Sequence, residues 1–401
     1  MQPPPGKGDE MRRTRCLRVA LQVEMNRAHG RSMLEGIADY AVRNPDWRLE
    51  LVGAETLRSV SGVRRFDGLI VRVMDDATAD VLLKSRRPVV DAYGRTDDNP
   101  LPSIRLDDAA IAEMAFACFS EHRHTAFAYC GFPGVRFSDT RGKAFCDCAA
   151  RAGAVVSRYD AKGRVTDGFF RDESMDVLDA GSLAAWLKSL PKPIAVFCCN
   201  DLRAVQLLKV CADLGMSVPG DIAVLGVDND ILLCTFANPS LSSIETDSFA
   251  LGRRAAELLD AQMRPRAARQ VKAPCLWTPK KVVERLSTDS YPFRTPWLAD
   301  AVRYIRRNIT KGVAAEEVVR FVGFSHPKVN RAFAEELGHT VKKEILLQRS
   351  RLACSMLLET NLPIGQIASR CGYRRVQYFV GSFTEAFGMS PDAWRKRGSG
   401  R

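Results

Sequence analysis

The sequence predicts an α/β, two-lobed N-terminal domain followed by an all-α domain with two helix-turn-helix units. Two observations lead to this prediction. Residues 17–285 alternate short β-branched runs with amphipathic helical stretches, an order that produces a parallel, doubly wound sheet. From Pro296 to Arg401 the apolar residues instead recur at helical spacing, interrupted by glycines.

Nine segments of the first domain have the length and composition of strands. They are Leu17–Val23, Leu49–Val52, Gly68–Val71, Pro88–Asp91, Ser103–Leu106, Ala126–Cys130, Val155–Tyr159, Ile194–Cys198 and Ile222–Val227. Helices fit between them. So many strands are expected to form two lobes rather than one. In open sheets of this kind, ligands bind beyond the carboxyl ends of the strands.

Polar side chains follow many of these strands. The candidates are Asn26, Arg31, Arg72, Tyr93, Asp108, Arg141, Asn200, Asp201 and Asp228. Carboxylates that accept hydroxyls, and guanidinium groups that donate a fork of hydrogen bonds, suit a polyhydroxyl ligand. Asp and Asn after a strand are also common helix caps and turn formers, so each residue taken alone has that structural alternative.

The C-terminal region contains the helix-turn-helix outline twice. In the first unit, Ala315–Val322 predicts one helix, Gly323 a turn and Ser325 the N-cap of a second helix. In the second unit, Gly372 ends the first helix, and Phe379, Phe383 and Phe387 form one apolar stripe on the next. A long helix over Thr340–Leu358 joins the units. Either unit alone could be an ordinary helical hairpin, but a tandem pair favours DNA binding.

Charge agrees with this placement. Residues 296–401 contain 18 Lys and Arg against 9 Asp and Glu, whereas the whole chain has a net charge of +12. A strongly basic domain is expected of a protein that neutralises DNA phosphates. A solvated surface or an anionic membrane would also accommodate it, so the charge supports the motif without proving it.

The last hundred residues resemble the AraC/XylS family of bacterial regulators. The similarity rests on Cys371-Gly372-Tyr373, Tyr378-Phe379, Phe383, Phe387-Gly388, Ser390-Pro391 and Trp394-Arg395. It implies operator DNA and RNA polymerase as partners. The residues implied for DNA binding are Ser325, Lys328, Asn330 and Arg331 in the first unit, and Arg374, Arg375, Gln377, Tyr378 and Val380 in the second. Asn330 can pair with adenine and Arg331 with guanine in the major groove, so the first unit is expected to read bases directly. Gly381 has no side chain with which to read a base, so the second unit is expected to contribute mainly affinity.

The first domain resembles the effector domain of LacI/GalR regulators, a two-lobed periplasmic-binding-protein-like (type I) fold. The matching stretches are Asp67–Ile70, Asn200–Ala204, Val224–Asn229 and Pro239–Ile244. The resemblance implies that the chain crosses three times between the lobes and that Asp108, Arg141, Asn200 and Asp228 hold sugar hydroxyls in the cleft. It also implies a homodimer. The LacI-type N-terminal DNA-binding headpiece is missing.

A LacI-like domain joined to an AraC-like tail is typical of one group of sugar-operon regulators. Asn26-Arg27-Ala28, Glu284–Asp289 and Gln377-Tyr378-Phe379 resemble that group. The resemblance implies a monosaccharide effector. The expected class is a pentose, with xylose as the first candidate. The predicted divisions are a disordered tail (1–16), an effector domain (17–285), a linker (286–296) and a DNA-binding domain (297–397).

Other functions fit the sequence less well. A sugar-active enzyme is disfavoured because the sequence has no Walker loop, GxSxG or HExxH motif. A transport protein is disfavoured by the basic helical tail and the lack of an export signal, and a cytoplasmic protein without membrane contact is expected. The twelve cysteines have no CxxC spacing and predict reduced thiols, with no metal or cofactor. A first domain that has lost its ligand and only dimerises stays open as an alternative.

Overall fold

The computed structural model describes residues 16–93, 100–160, 179–264 and 275–398. The chain divides into two compact units, residues 1–289 and 290–401. Apart from Cys16, the predicted disordered tail lies outside the described residues.

The first lobe of the first unit is built on a parallel sheet in the order β2-β1-β3-β4. Its strands are β1 (Leu17–Gln22), β2 (Trp47–Leu51), β3 (Gly68–Val71) and β4 (Val89–Asp91). Beside them β5 (Ile104–Leu106) pairs in parallel with β11 (Cys275–Trp277). The helices of this lobe are α1 (Ala28–Arg43), α2 (Ala54–Leu57), α3 (Val60–Arg64), α4 (Asp76–Ser85) and α10 (Ser248–Met263).

The second lobe has six strands in the order β12-β10-β9-β8-β6-β7, parallel except for β12. They are β6 (Phe127–Cys130), β7 (Val156–Arg158), β8 (Ile194–Cys198), β9 (Ile222–Val227), β10 (Ser242–Glu245) and β12 (Lys281–Val283). Its helices are α5 (Asp108–Glu121), α6 (Arg136–Arg151), α7 (Ala180–Ser189), α8 (Asp201–Asp213) and α9 (Ile231–Phe236).

The chain crosses three times between the lobes, as the resemblance implied. It passes to the second lobe after β5, returns before α10, and passes over again between β11 and β12. Leu251 and Leu259 of α10 pack in the core of the first lobe, while Val282 of β12 packs against the core of the second. These crossings bring the carboxyl ends of both sheets to one cleft.

All nine predicted strands are present, with ends that differ by at most two residues. Three short strands, β10, β11 and β12, were not predicted. They have three or four residues each, as several predicted strands do, but the polar residues Ser242, Ser243 and Lys281 interrupt the apolar pattern of β10 and β12. Each exists because a neighbouring strand supplies its hydrogen-bond partners.

The second unit is all-helical. It comprises α11 (Pro296–Asn308), α12 (Ala315–Val322), α13 (His326–Leu337), α14 (Val341–Glu359), α15 (Ile364–Arg370), α16 (Val376–Phe387) and α17 (Pro391–Gly398). Val329 and Phe333 of α13 belong to one core, and Phe379 and Phe383 of α16 belong to another. The long helix α14 contributes to both cores, so it joins two helix-turn-helix units, as predicted.

Both predicted turns adopt the left-handed backbone conformation that favours glycine. Gly323 has φ of 72° between α12 and α13, and Gly372 has φ of 76° between α15 and α16. A Cβ on Gly372 would also lie 2.5 Å from the carbonyl oxygen of Ile309. The second turn therefore requires glycine for space as well as for conformation.

The segment predicted as a linker, residues 286–296, is packed rather than free. Ser287 is fully buried, and its hydroxyl donates to the carbonyl of Val224 (2.6 Å) and accepts from the amide of Ser242 (2.8 Å). Tyr291 already belongs to the first helical core, and Pro296 is the first residue of α11. Serine and proline suggested a loop, but here the serine hydroxyl satisfies buried backbone groups.

Two further expectations concern membranes and thiols. Among the described residues, no helix has both the length and the apolarity that a membrane span needs. All twelve cysteines lie in the described part of the chain, and none is disulfide-bonded.

Candidate functional site

A cleft of about 740 Å³ lies between the two lobes of the first unit. Six of the nine predicted effector-binding residues line it: Arg72, Tyr93, Asp108, Arg141, Asn200 and Asp228. The other three, Asn26, Arg31 and Asp201, line an adjoining pocket that shares Asn200 and Asp228. The predicted residues thus gather at one edge of the two sheets, where parallel strands place ligands.

Arg141 and Asp108 form a buried pair in the second lobe. Arg141 is only 2% exposed, and its Nε and Nη2 atoms donate to Oδ1 of Asp108 at 3.0 and 2.8 Å. Its Nη1 atom donates to the carbonyl of Cys199. Burial raises the pKa of Asp108, and the charge of Arg141 only partly offsets this effect. The pair presents a donor and an acceptor in one rigid arrangement.

Asn200 and Asp228 end neighbouring strands of the same lobe. Asn200 caps α8 because its Oδ1 atom accepts from the amide of Arg203 (2.9 Å), so its NH2 group is directed away from that amide. Asp228 has φ of 104°, a strained value for any residue other than glycine. Burial raises the pKa of Asp228, while His29 and Arg141 lower it. Backbone strain of this kind clusters at functional sites.

The first lobe contributes an ion pair that the sequence analysis missed. Arg72 pairs with Glu24, and its guanidinium lies 4.5 Å from the centroid of the Tyr93 ring. Burial by itself would raise the pKa of Glu24. Arg72 and His29 have the larger combined effect and hold this pKa below its ordinary value. The Oε2 atom of Glu24 is buried and has no hydrogen-bond partner among the described residues. It can accept a hydrogen bond from a ligand hydroxyl.

Further cleft residues were also not identified from the sequence: Arg27, His29, Arg105, Arg136 and Phe137. Phe137 lies one helical turn before Arg141 on α6. The guanidinium of Arg141 is 5.4 Å from the centroid of the Phe137 ring. That spacing would have identified Phe137 once Arg141 was chosen. His29 shares a hydrogen bond with Ser248 on α10 (2.7 Å), a contact between residues far apart in sequence.

The predicted residues Asp201 and Arg31 make hydrogen bonds to other parts of the protein. Asp201 is 1% exposed, accepts from the hydroxyl of Ser243 (2.6 Å) and from the amide of Asp230 (2.7 Å), and so ties three segments together. Arg31 is exposed and donates to the carbonyl of Met25 (3.0 Å). Neither side chain is directed at the main cleft.

One group of possible metal ligands lies outside the cleft lining. The ligand atoms of Cys118, His122 and Glu284 are within 4.8 Å of one another. His122 Nε2 faces Glu284 Oε2 at 3.7 Å, and its Nδ1 atom hydrogen-bonds the carbonyl of Cys118. A backbone carbonyl at one ring nitrogen and a carboxylate beside the other account for this arrangement without a metal.

In the first helix-turn-helix unit, α13 buries Val329, Phe333 and Leu337 and leaves Lys328 and Arg331 exposed. The Nζ atom of Lys328 lies 3.7 Å from the centroid of the Phe324 ring. Ser325 precedes the helix as predicted, but its side chain makes no capping hydrogen bond.

Asn330 differs from the prediction that it reads a base. Its Oδ1 atom accepts from the amide of Val341 (3.3 Å), and its Nδ2 atom contacts Nδ1 of His326 (2.9 Å). The side chain therefore already bridges α13 and the start of α14. Sequence position alone placed Asn330 on the outer face, and only the fold brought Val341 within reach.

In the second unit, α16 buries Phe379 and Phe383 and exposes Gln377 and Tyr378. Tyr378 is 69% exposed. Arg374 and Arg375 are exposed in the preceding turn. Val380, expected on the outer face, is half-buried against the second core. The available polar groups thus lie at the start of α16 and in the turn before it.

The chain matches two family models. The periplasmic binding protein-like domain matches residues 116–288, and the helix-turn-helix domain matches residues 318–397. The xylose operon regulatory protein of Escherichia coli (strain K12) is 28% identical over 396 residues, which cover 95% of this chain and 97% of that protein. The protein of the same name from Haemophilus influenzae is 26% identical over 387 residues, covering 94% and 98%.

A solved structure has the same two-domain order. The xylose-binding transcription activator xylR superposes with a TM-score of 0.59 and 27% identity, and the match covers 95% of this chain and 98% of that chain. These relatives are regulators and not enzymes. The chain is therefore a transcription regulator in which a periplasmic binding protein-like domain precedes a C-terminal helix-turn-helix domain.

Proposed function

We propose that this regulator responds to a monosaccharide held in the cleft, with D-xylose as the first candidate. The observation that carries the proposal is a set of polar groups, buried or half-buried, that both lobes direct to one cavity: the Arg141–Asp108 pair, Asn200, Asp228 and the Glu24–Arg72 pair. Several oxygen acceptors and fixed donors around one cavity match a ligand with several hydroxyls. The xylose operon regulators in the comparisons point to the same sugar.

We propose the DNA-binding residues because their side chains are exposed and lie on α13, at the start of α16 or in the turn before it. Arg331 and Lys328 on α13 contact operator DNA, Arg331 at a base edge. Arg374 and Arg375, in the turn before α16, bind phosphates, and Gln377 and Tyr378 follow on the helix itself. The first unit accordingly supplies most of the sequence specificity and the second unit mainly affinity.

The remaining partners follow from the regulator role. The protein acts in the cytoplasm as a homodimer, so that two copies reach repeated half-sites, and it communicates with RNA polymerase. Measuring the oligomeric state with and without sugar tests the homodimer directly.

A thermal-unfolding screen of the full chain against a panel of pentoses and hexoses tests the proposed ligand. A ligand that binds only the folded state raises the unfolding midpoint, so D-xylose is expected to raise it more than its epimers do. Arg48→Ala, which alters an exposed arginine on β2 that lines neither the cleft nor the adjoining pocket, serves as the matched control and retains the response. A screen in which no sugar moves the midpoint would favour a first domain that only dimerises.

A further inference from the structure

We propose that His326 contacts a base edge and that Asn330 is its positioning residue, which sets the proton position on the His326 ring. This inference rests on the proposed reading of DNA by α13. It differs from the expectation that Asn330 itself reads the base, and it explains what the side chain of Asn330 does.

The orientation of the Asn330 amide is determined by its neighbour on α14. The backbone amide of Val341 can only donate a hydrogen bond, so the atom that faces it at 3.3 Å must be the oxygen of Asn330. The NH2 group then points the other way, where Nδ1 of His326 lies 2.9 Å distant. The fold thus removes the ambiguity between the two ends of the amide.

The orientation of Asn330 in turn selects a tautomer of His326. An amide NH2 group only donates, so Nδ1 of His326 must accept and cannot carry a proton. In the neutral ring the proton is then on Nε2. His326 therefore presents one N–H donor, and Asn330 also restrains the direction in which that donor points.

His326 has the position that base contact requires. It is the first residue of α13 and is exposed. In helix-turn-helix proteins the N-terminal residues of the second helix contact base edges in the major groove. Pro327 follows directly and restricts the backbone at this end of the helix. A single N–H donor matches the acceptors of that groove: N7 or O6 of guanine, N7 of adenine, or O4 of thymine.

The test uses the full chain and a duplex that the wild-type protein selects from a random-sequence pool. The measured quantity is the ratio of affinities for the selected and a scrambled duplex. His326→Ala is expected to lower this ratio about 2- to 12-fold, the range for one neutral hydrogen bond. Where N7 is the acceptor, the contacted purine can be replaced by its 7-deaza analogue. This replacement should lower the affinity of the wild-type protein as much as His326→Ala does, and it should not change the affinity of the His326→Ala variant.

Asn330→Asp separates positioning from a structural role. An aspartate keeps an oxygen for the Val341 amide but replaces the NH2 donor by an acceptor, which moves the ring proton toward Nδ1. At a pH where the ring stays neutral, we expect the affinity ratio to fall as it does for His326→Ala. The double variant should show no further loss, because Asn330 acts through His326. Additive losses, or an unchanged ratio in His326→Ala, overturn the proposal.

Arg331→Ala distinguishes this failure from that of the proposed function. If Arg331→Ala lowers the affinity ratio and His326→Ala does not, α13 reads DNA without His326. If neither variant lowers it, the first unit is not the reader. Glu335→Gln, an exposed position in the C-terminal half of α13, is the matched control and should leave the ratio unchanged.

Discussion

The polar residues of the cleft bind one another, whereas those of α13 and α16, the second helices of the two helix-turn-helix units, mostly extend into solvent. In the cleft, Arg141 is 2% exposed and bonded to Asp108. On the helices, Arg331 and Arg374 are exposed. A rigid, buried set suits a small ligand whose hydroxyls must be matched, while exposed side chains can adapt to a DNA groove. The same type of substitution should therefore cost folding stability in the first region and only binding in the second.

The largest effect is expected for Arg141→Ala. This change leaves Asp108 buried without its partner, which should reduce the free energy of unfolding by about 3–5 kcal/mol, besides abolishing sugar binding. Urea unfolding beside the exposed-site control Arg48→Ala, expected within about 0.5 kcal/mol of wild type, measures the difference in the free energy of unfolding. Equal stability of the two variants would show that the pair is not an important part of the fold.

Asp228→Asn should separate binding from folding in the same cleft. Asparagine keeps the shape and tolerates positive φ, so stability should change little. Loss of a charged acceptor for a sugar hydroxyl costs about 1.5–3 kcal/mol, which is roughly a tenfold or greater loss of affinity. Calorimetric titration with D-xylose measures it, and unchanged affinity would remove Asp228 from the site.

On the DNA-binding side, Arg331→Ala and Arg374→Ala should differ from each other. Arg331→Ala is expected to cost about 1–3 kcal/mol on the selected duplex and little on random DNA. Arg374→Ala should weaken both duplexes alike and reduce the salt slope by about one, as for a phosphate contact. Gel-shift titrations at two salt concentrations decide between these outcomes. Equal losses on both duplexes in Arg331→Ala would contradict the proposed division between the units.

The smallest effect is expected in the pH dependence of stability. The pKa of Glu24 is lowered in the fold, so its ion pair with Arg72 stabilises the protein above the ordinary glutamate value of 4.5, and this contribution disappears as pH falls through the lower folded value. Glu24→Gln should therefore be less stable than wild type near neutral pH, and the difference should shrink on acidification. Unfolding midpoints measured across that range test the sign, and a difference that grows in acid would contradict it.

Residues near one another in sequence were predicted well. The nine predicted strands follow from short apolar, mostly β-branched runs, and the two turns follow from Gly323 and Gly372, which end the helices before them. Glu24 was missed because its importance depends on Arg72, which is far along the chain. Asn330 was assigned to base reading for a related reason: its helix face is readable from the sequence, but its contact with Val341 is not.

The sequence by itself determined the order of elements, the two-domain plan and the basic character of the C-terminal domain, because these depend on local periodicity and composition. Only the tertiary structure decided which polar residues meet. Three crossings between the lobes bring Glu24, Arg72, Arg141 and Asp228 to one cleft, although these residues are far apart along the chain. Burial and pairing then shift the pKa values of Glu24, Asp108 and Asp228, which supports the proposed sugar site over a set of helix caps, and no local pattern encodes burial of that kind.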